Sequence, residues 1–329
     1  MQLEKKRDIY VDVSKGIAML MVVSIHTEVF HEINFPYPII AVPFFFFMSG
    51  FFDKSDKPLR QWIGKTSLSL IGTTVIWTTI KFVYLSFLNL VKTGFSVSAL
   101  STVPYLFNFG VAWFLVALFY AKILVWLFSK LKLPVYIVLL IFIAAGAFIS
   151  KINIPVLVDE GIAAIPFYYL GKVIYPYLRR IRNFELTMLA LLGLACMISM
   201  RGNWFPCTLV PIDIDYHVMM YPVFFITTSL SFATIIWVSR KLANISFLAD
   251  YGTQSLGILV IHPLLLHTCA VVLNRVFIVG SALWIAFFLC AYVAVCILSY
   301  YFSVLISRHC PILLGKKPRS LKWNGTQEM

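Results

Sequence analysis

Residues 12–28 read DVSKGIAMLMVVSIHTE, an apolar run that still carries Asp12, Lys15, His26 and Glu28. Ionisable groups in a segment this greasy are costly and mark functional candidates. Lys15 precedes His26 by eleven residues. On a helix that spacing is about three turns, ~16.5 Å of rise and a difference in direction of only ~20°. Asp12 stands one turn before Lys15 on nearly the same face and can pair with it. Met19 and Val22 lie between, so the face reads as a seam with polar ends and an apolar middle. Glu28 points ~200° away from His26, which assigns it to the outer boundary of the helix or to another span.

A cation at one end of a seam and a titratable imidazole at the other suit two chemistries. One is a proton or ion path. The other is group transfer, with histidine as general base or as transient acceptor. A lone intramembrane histidine is equally compatible with a structural role. Further ionisable groups sit in other apolar runs. Lys81 lies 14 residues into its run, ~21 Å along a helix, where it can reach a site or the far interface. Lys172 stands about two turns from the end of its run, where a lysine stem can carry its ammonium out to the interface; Lys122 lies somewhat deeper and suits the interface and a site equally.

The elements that must position these groups are membrane helices. The chain of 329 residues is 60% hydrophobic and 12% charged, with a mean hydropathy of +0.88. A soluble protein so composed would lack a polar coat, so lipid is the expected solvent. Runs long enough to span fall at about 10–30, 37–53, 67–90, 110–129, 134–150, 161–178, 184–200, 219–238, 252–273 and 280–306. They are continuous rather than alternating, which excludes a β-barrel. The expected fold is therefore an all-α polytopic membrane protein of about ten transmembrane helices, a single domain over 1–329 with no soluble domain. Outside the runs, 19 Lys and Arg fall in the N-terminus, every second loop and the tail, against 4 in the alternate loops. That asymmetry predicts cytoplasmic N- and C-termini. It also accounts for the net charge of +13 without a nucleic-acid partner. The first run is interrupted by His26 and Glu28 and has no A-x-A-like site after it, so it reads as a retained span and not a signal peptide. The six cysteines form no C-x-x-C pair and read as small buried hydrophobes. No metal or prosthetic group is expected. No internal repeat is visible, which weakens a secondary-transporter reading.

With these residues in view, the chain resembles the integral membrane acyltransferase-3 family. DVSKGIAMLMVVSIH (12–26) is similar to its first-span signature, and VPFFFFMSGFF (42–52) to its P-x-F-F-x-x-S-G-F-F element. AWFLVALF (112–119), FYYLGK (167–172) and YGTQSLGILVIHP (251–263) resemble later elements in the same order. Fucose 4-O-acetylase-like and enterobacterial common antigen O-acetyltransferase-like members are the nearest in character. The resemblance implies acyl transfer, most often of acetyl from acetyl-CoA, to hydroxyls of envelope or exported carbohydrates at the bacterial cytoplasmic (inner) membrane. It places His26 on the family's catalytic histidine and His262 on that of the late I-H-P element. Many members carry R-x-R near the start of the third span for the donor phosphates. Here the stretch reads PLRQWIGKTSL, with Arg60 and Lys65 as cationic substitutes.

The combined expectation is an acyl-CoA donor held through its phosphates by Lys15, Arg60 and Lys65, with Asp12 beside Lys15. The pantetheine arm would follow the seam and bring its thioester to His26. Lys81 or His262 would stabilise the oxyanion. A carbohydrate or lipid-linked sugar would meet Trp113, Trp204 and Tyr216, the last two in an outer loop where they serve equally well as interfacial anchors. The partners are thus the donor, the sugar acceptor and membrane lipid. The alternative is a proton-coupled transporter or flippase of an envelope precursor.

Overall fold

Hydrocarbon offers a backbone no hydrogen-bond partner, so the apolar runs fold as helices that satisfy their own peptide groups. The computed structural model describes residues 8–27, 37–93, 110–149, 158–199 and 220–316, and no strand occurs among them. In chain order the helices are α1 (Ile9–Ile25), α2 (Tyr37–Gly50), α3 (Leu59–Ser67), α4 (Thr73–Thr93), α5 (Trp113–Ser129), α6 (Val135–Ile149), α7 (Val158–Leu178), α8 (Asn183–Ser199), α9 (Met220–Lys241), α10 (Ser246–Thr253), α11 (Ser255–Val276) and α12 (Ala282–His309). Among the described residues, five stretches are long and apolar enough to cross a membrane: Leu59–Leu88, Gly110–Ser129, Met220–Lys241, Ser255–Val276 and Ala282–His309. Ile40–Gly50, Val135–Ile149 and Asn183–Ser199 are shorter apolar helices.

Three boundaries differ from the expected runs. The first helix ends at Ile25 instead of near 30, because Thr27 N–H donates to the Ser24 carbonyl at 3.0 Å and closes a tight turn. The third run starts at Leu59, not 67. Its first two turns carry Arg60, Gln61 and Lys65, polar enough to hide a helix from a hydropathy reading, yet nothing after Pro58 breaks it. It joins α4 through a widened π turn, Leu68–Gly72. Gly315, at φ 59°, allows the C-terminal 3-10 turn Pro311–Leu314 to lie against that π turn, where a Cβ would strike the Leu68 carbonyl and Ser69. Trp77 Nε1 donates to the Leu313 carbonyl at 2.8 Å and holds the docked turn. The ninth run is split at Gln254, which separates α10 from α11.

α1 is the hub, packed against α2, α9, α10 and α11. Lipid tails are as apolar as leucine, so the helices are held by close packing and not by exclusion from water. Glycine supplies that closeness. Cβ atoms added at Gly16 and Gly252 would meet the backbone carbonyls of Leu248 and Asp12, so α1 and α10 touch main chain to main chain. Gly50 and Gly171 do the same for α2 and α7. Between these crossings Phe232 of α9 packs against Phe44 at 5.2 Å, Phe47 at 4.9 Å and Phe167 at 6.0 Å.

Candidate active site

The spacing of Lys15 and His26 on α1 becomes the wall of a cavity. Lys15, Met19, Val22 and His26 line it together, in the order the seam predicts. The cavity holds about 250 Å³ and is closed by α2 (Val42, Phe45, Met48, Ser49) and Phe52 in the turn after it, by Trp113 and Phe114 of α5, and by Ser255, Leu256 and Leu259 of α11. Its polar groups therefore sit mainly at the two ends, with apolar side chains between.

At one end Lys15 is partly buried. Its Nζ lies 3.7 Å from Asp12 Oδ1 and 4.2 Å from the centre of the Phe52 ring. Asp12 itself is buried behind it and does not line the cavity. At the other end His26 is the C-cap residue of α1 and is exposed. The His262 ring lies beside it, centroid to centroid 5.3 Å, with planes inclined at 41°. His262 is fully buried in α11, one residue before Pro263. Its Nδ1 is 2.8 Å from the Ile258 carbonyl oxygen. A carbonyl only accepts, so Nδ1 carries the proton and Nε2 is left with a lone pair. That Nε2 is buried with no hydrogen-bond partner among the described residues. His262 is thus suited to accept from a neighbouring group, not to donate to an oxyanion.

The other expected residues divide. Trp113 lines the cavity. Lys81 does not. It is partly buried in α4, with Nζ placed so that a Cβ on Gly110 would come within 2.8 Å. Gly110 opens the 3-10 turn Gly110–Ala112 from which Val111 and Trp113 reach the cavity. Arg60 and Lys65 are exposed on α3 and line a separate basin of about 720 Å³ together with Lys316, which the docked C-terminal turn delivers. Trp204, Tyr216 and Glu28 lie outside the described residues.

Lys172 does not simply extend to the interface as its position suggested. Its ammonium pairs with Asp53 at 3.2 Å and Asp56 at 3.8 Å and donates to Ser55 Oγ, tying α7 to the turn after α2. Lys122 likewise turns inward, donating to Tyr168 Oη at 3.2 Å, while Tyr168 donates to Asp53 Oδ1 at 2.6 Å. Burial raises the Asp53 pKa, but hydrogen bonds from Ser55 and Tyr168 and the Lys172 charge outweigh it and hold the carboxyl below its ordinary value. The α2 wall is a further part of the site. Val42, Phe45, Met48, Ser49 and Phe52 recur at helical spacing, a signal available in VPFFFFMSGFF.

The sequence matches the family model described as an acyltransferase domain, Acyl_transf_3, over residues 8–304. The chain belongs to the acyltransferase-3 family. The match runs from the start of α1 into α12 and so takes in every wall of the cavity. As a member of the acyltransferase-3 family the protein is an acyltransferase of the non-aminoacyl kind, and its long apolar helices make it a membrane enzyme. No curated protein and no solved structure matches the chain.

Proposed function

We propose that the enzyme is a bacterial inner-membrane O-acyltransferase that moves acetyl from acetyl-CoA to a hydroxyl of a cell-envelope or exported carbohydrate. In this reading the chain crosses the membrane ten times with both termini cytoplasmic. The observation that carries it is the cavity whose α1 wall runs from Lys15 to His26 through Met19 and Val22. A thioester donor has this pattern: an anionic nucleotide end, a slender arm and a reactive carbonyl at its tip.

The donor enters from the cytoplasm with its phosphates among Lys15 and the basin of Arg60, Lys65 and Lys316. Its arm lies against Met19, Val22 and Phe45, and its thioester reaches His26. The sugar comes from the opposite side, where Trp113 and the outer-loop Trp204 and Tyr216 offer aromatic faces. A sugar hydroxyl is a poor nucleophile near neutral pH. His26 as neutral general base takes its proton while the oxygen attacks the carbonyl. The C–O bond forms, the C–S bond breaks and the thiolate leaves. It takes a proton from the His26 imidazolium or from water. Lys81 does not line the cavity, and its ammonium beside Gly110 adds positive charge to the oxyanion only through space. His262, with Nδ1 committed to Ile258, acts on His26 through its Nε2 lone pair.

General-base catalysis contributes about 10²–10⁴-fold, so His26→Ala should lose at least that much acetyl transfer while still inserting. Mass spectrometry of surface glycans with and without the gene names the acceptor, and thiol release from acetyl-CoA by the purified enzyme names the donor. Normal acetylation by the His26→Ala protein would remove His26 from the mechanism. Uptake of an envelope precursor without any chemistry would favour the transporter alternative.

A further inference from the structure

α3 has two working faces. Arg60 and Lys65 look into the large basin, while Trp62 and Thr66, one turn apart, line a different pocket of about 190 Å³ with Phe52, Asp53, Lys54, Lys122 and Tyr168. Phe52 is common to this pocket and to the acyl-transfer cavity, and Lys15 lies over its ring. The pocket therefore adjoins the Lys15 end of that cavity.

We propose that this pocket is an oxyanion site that receives a phosphate group of the acyl donor. Its inventory is weighted to donors. Trp62 is 6% exposed and its Nε1–H has no acceptor among the described residues. An indole N–H can only donate, and a buried donor without a partner is costly. Lys122 gives one N–H to Tyr168 and, as an ammonium with three donors, has more to offer. Neither Lys122 nor Lys54 has a carboxylate within ion-pair distance among the described residues. Asp53 is the one carboxylate on the wall, and its charge is already answered. Oδ1 accepts from Tyr168, Oδ2 accepts from Ser55 and pairs with Lys172. What remains uncompensated is positive. The volume is several times the ~30 Å³ share of one water, room for a phosphate or diphosphate. The assignment of that phosphate to the donor rests on the function proposed above.

The test is binding by the full-length enzyme in detergent, measured by calorimetry with CoA and with inorganic pyrophosphate as separate probes. Trp62→Phe removes the N–H and keeps the ring. Lys122→Met removes the charge and keeps the stem, and Lys122→Arg restores the charge. A charge-assisted hydrogen bond is worth roughly 1.5–3 kcal/mol, so Trp62→Phe and Lys122→Met should each weaken both probes by about tenfold or more. Lys122→Arg should retain most of the affinity, which guards against a folding defect. CoA binding that is tight in the wild type and unchanged in Trp62→Phe and Lys122→Met would overturn the site and leave the donor intact. Pyrophosphate binding that depends on Trp62 and Lys122, in an enzyme that does not bind CoA, would overturn the donor assignment and the acetyl-CoA reading with it.

Discussion

Gly16→Ala tests the architecture most directly. A Cβ at position 16 would strike the Leu248 carbonyl oxygen, with the carbonyl carbon at 3.2 Å and Gly252 N at 3.4 Å. These are backbone atoms, so no rotamer change relieves the clash. α1 must move off α10 by roughly an ångström to recover ordinary van der Waals separation. Overpacking of this kind costs about 1–3 kcal/mol. Gly16 adjoins Lys15, and α1 also carries His26, so the displacement reaches both ends of the cavity. A misplacement of ~1 Å costs about 10²-fold in rate. Thermal unfolding temperature in detergent and acyl transfer should therefore both fall in Gly16→Ala. Gly72→Ala is the control. Its Cβ would find only Leu68 Cδ1 at 3.4 Å and Ser67 O at 3.9 Å, so both readouts should stay near wild type. Wild-type stability in Gly16→Ala would refute the close crossing. Lower stability with undiminished turnover would refute the claim that the crossing sets the catalytic spacing.

Other outcomes follow from the same geometry. Val22→Phe grows into the cavity between Lys15 and His26, so it should reduce acyl transfer by far more than its effect on the unfolding midpoint would explain. His262→Ala should lower the rate and shift the pH profile by altering the neighbouring imidazole, whereas a purely structural His262 would change stability without moving the profile. Asp53→Asn removes the nearer of the two carboxylates paired with Lys172 and leaves the more exposed Asp56, at a cost of about 1.5–3 kcal/mol for a charge-assisted hydrogen bond. Asp53 has a folded-state pKa below its ordinary value of about 3.9. Its contribution is therefore complete above that value and is lost as the pH falls through the folded pKa. The stability gap between wild type and Asp53→Asn should be constant above about pH 5 and close in acid. On the proposed donor assignment, reversing Arg60, Lys65 and Lys316 to glutamate should weaken CoA binding, and wild-type binding should weaken with salt.

The α1 half of the candidate site was legible because a helix converts spacing into direction. Eleven residues between Lys15 and His26 fix a shared face whatever surrounds it, and the cavity lining follows that face. The Asp12–Lys15 pair was legible for the same reason. Helical class and membrane character followed from composition, since apolar runs of this length have few stable forms. The α2 stripe was equally readable in VPFFFFMSGFF. The two helix starts that hydropathy missed, Leu59 and Ser246, belong to segments with polar faces.

Only the tertiary structure could bring His262 beside His26, because the two are separated by more than two hundred residues and no local period links them. The same holds for Lys316, which reaches Arg60 and Lys65 because a 3-10 turn docks on a π turn. It holds too for Lys122 and Lys172, whose stems are long enough to run outward or inward. What turned them inward was the presence of Tyr168 and Asp53, supplied by other elements. Local spacing sets which groups each helix presents on one face. Packing decided which faces meet, since that depends on where glycine permits two backbones to touch.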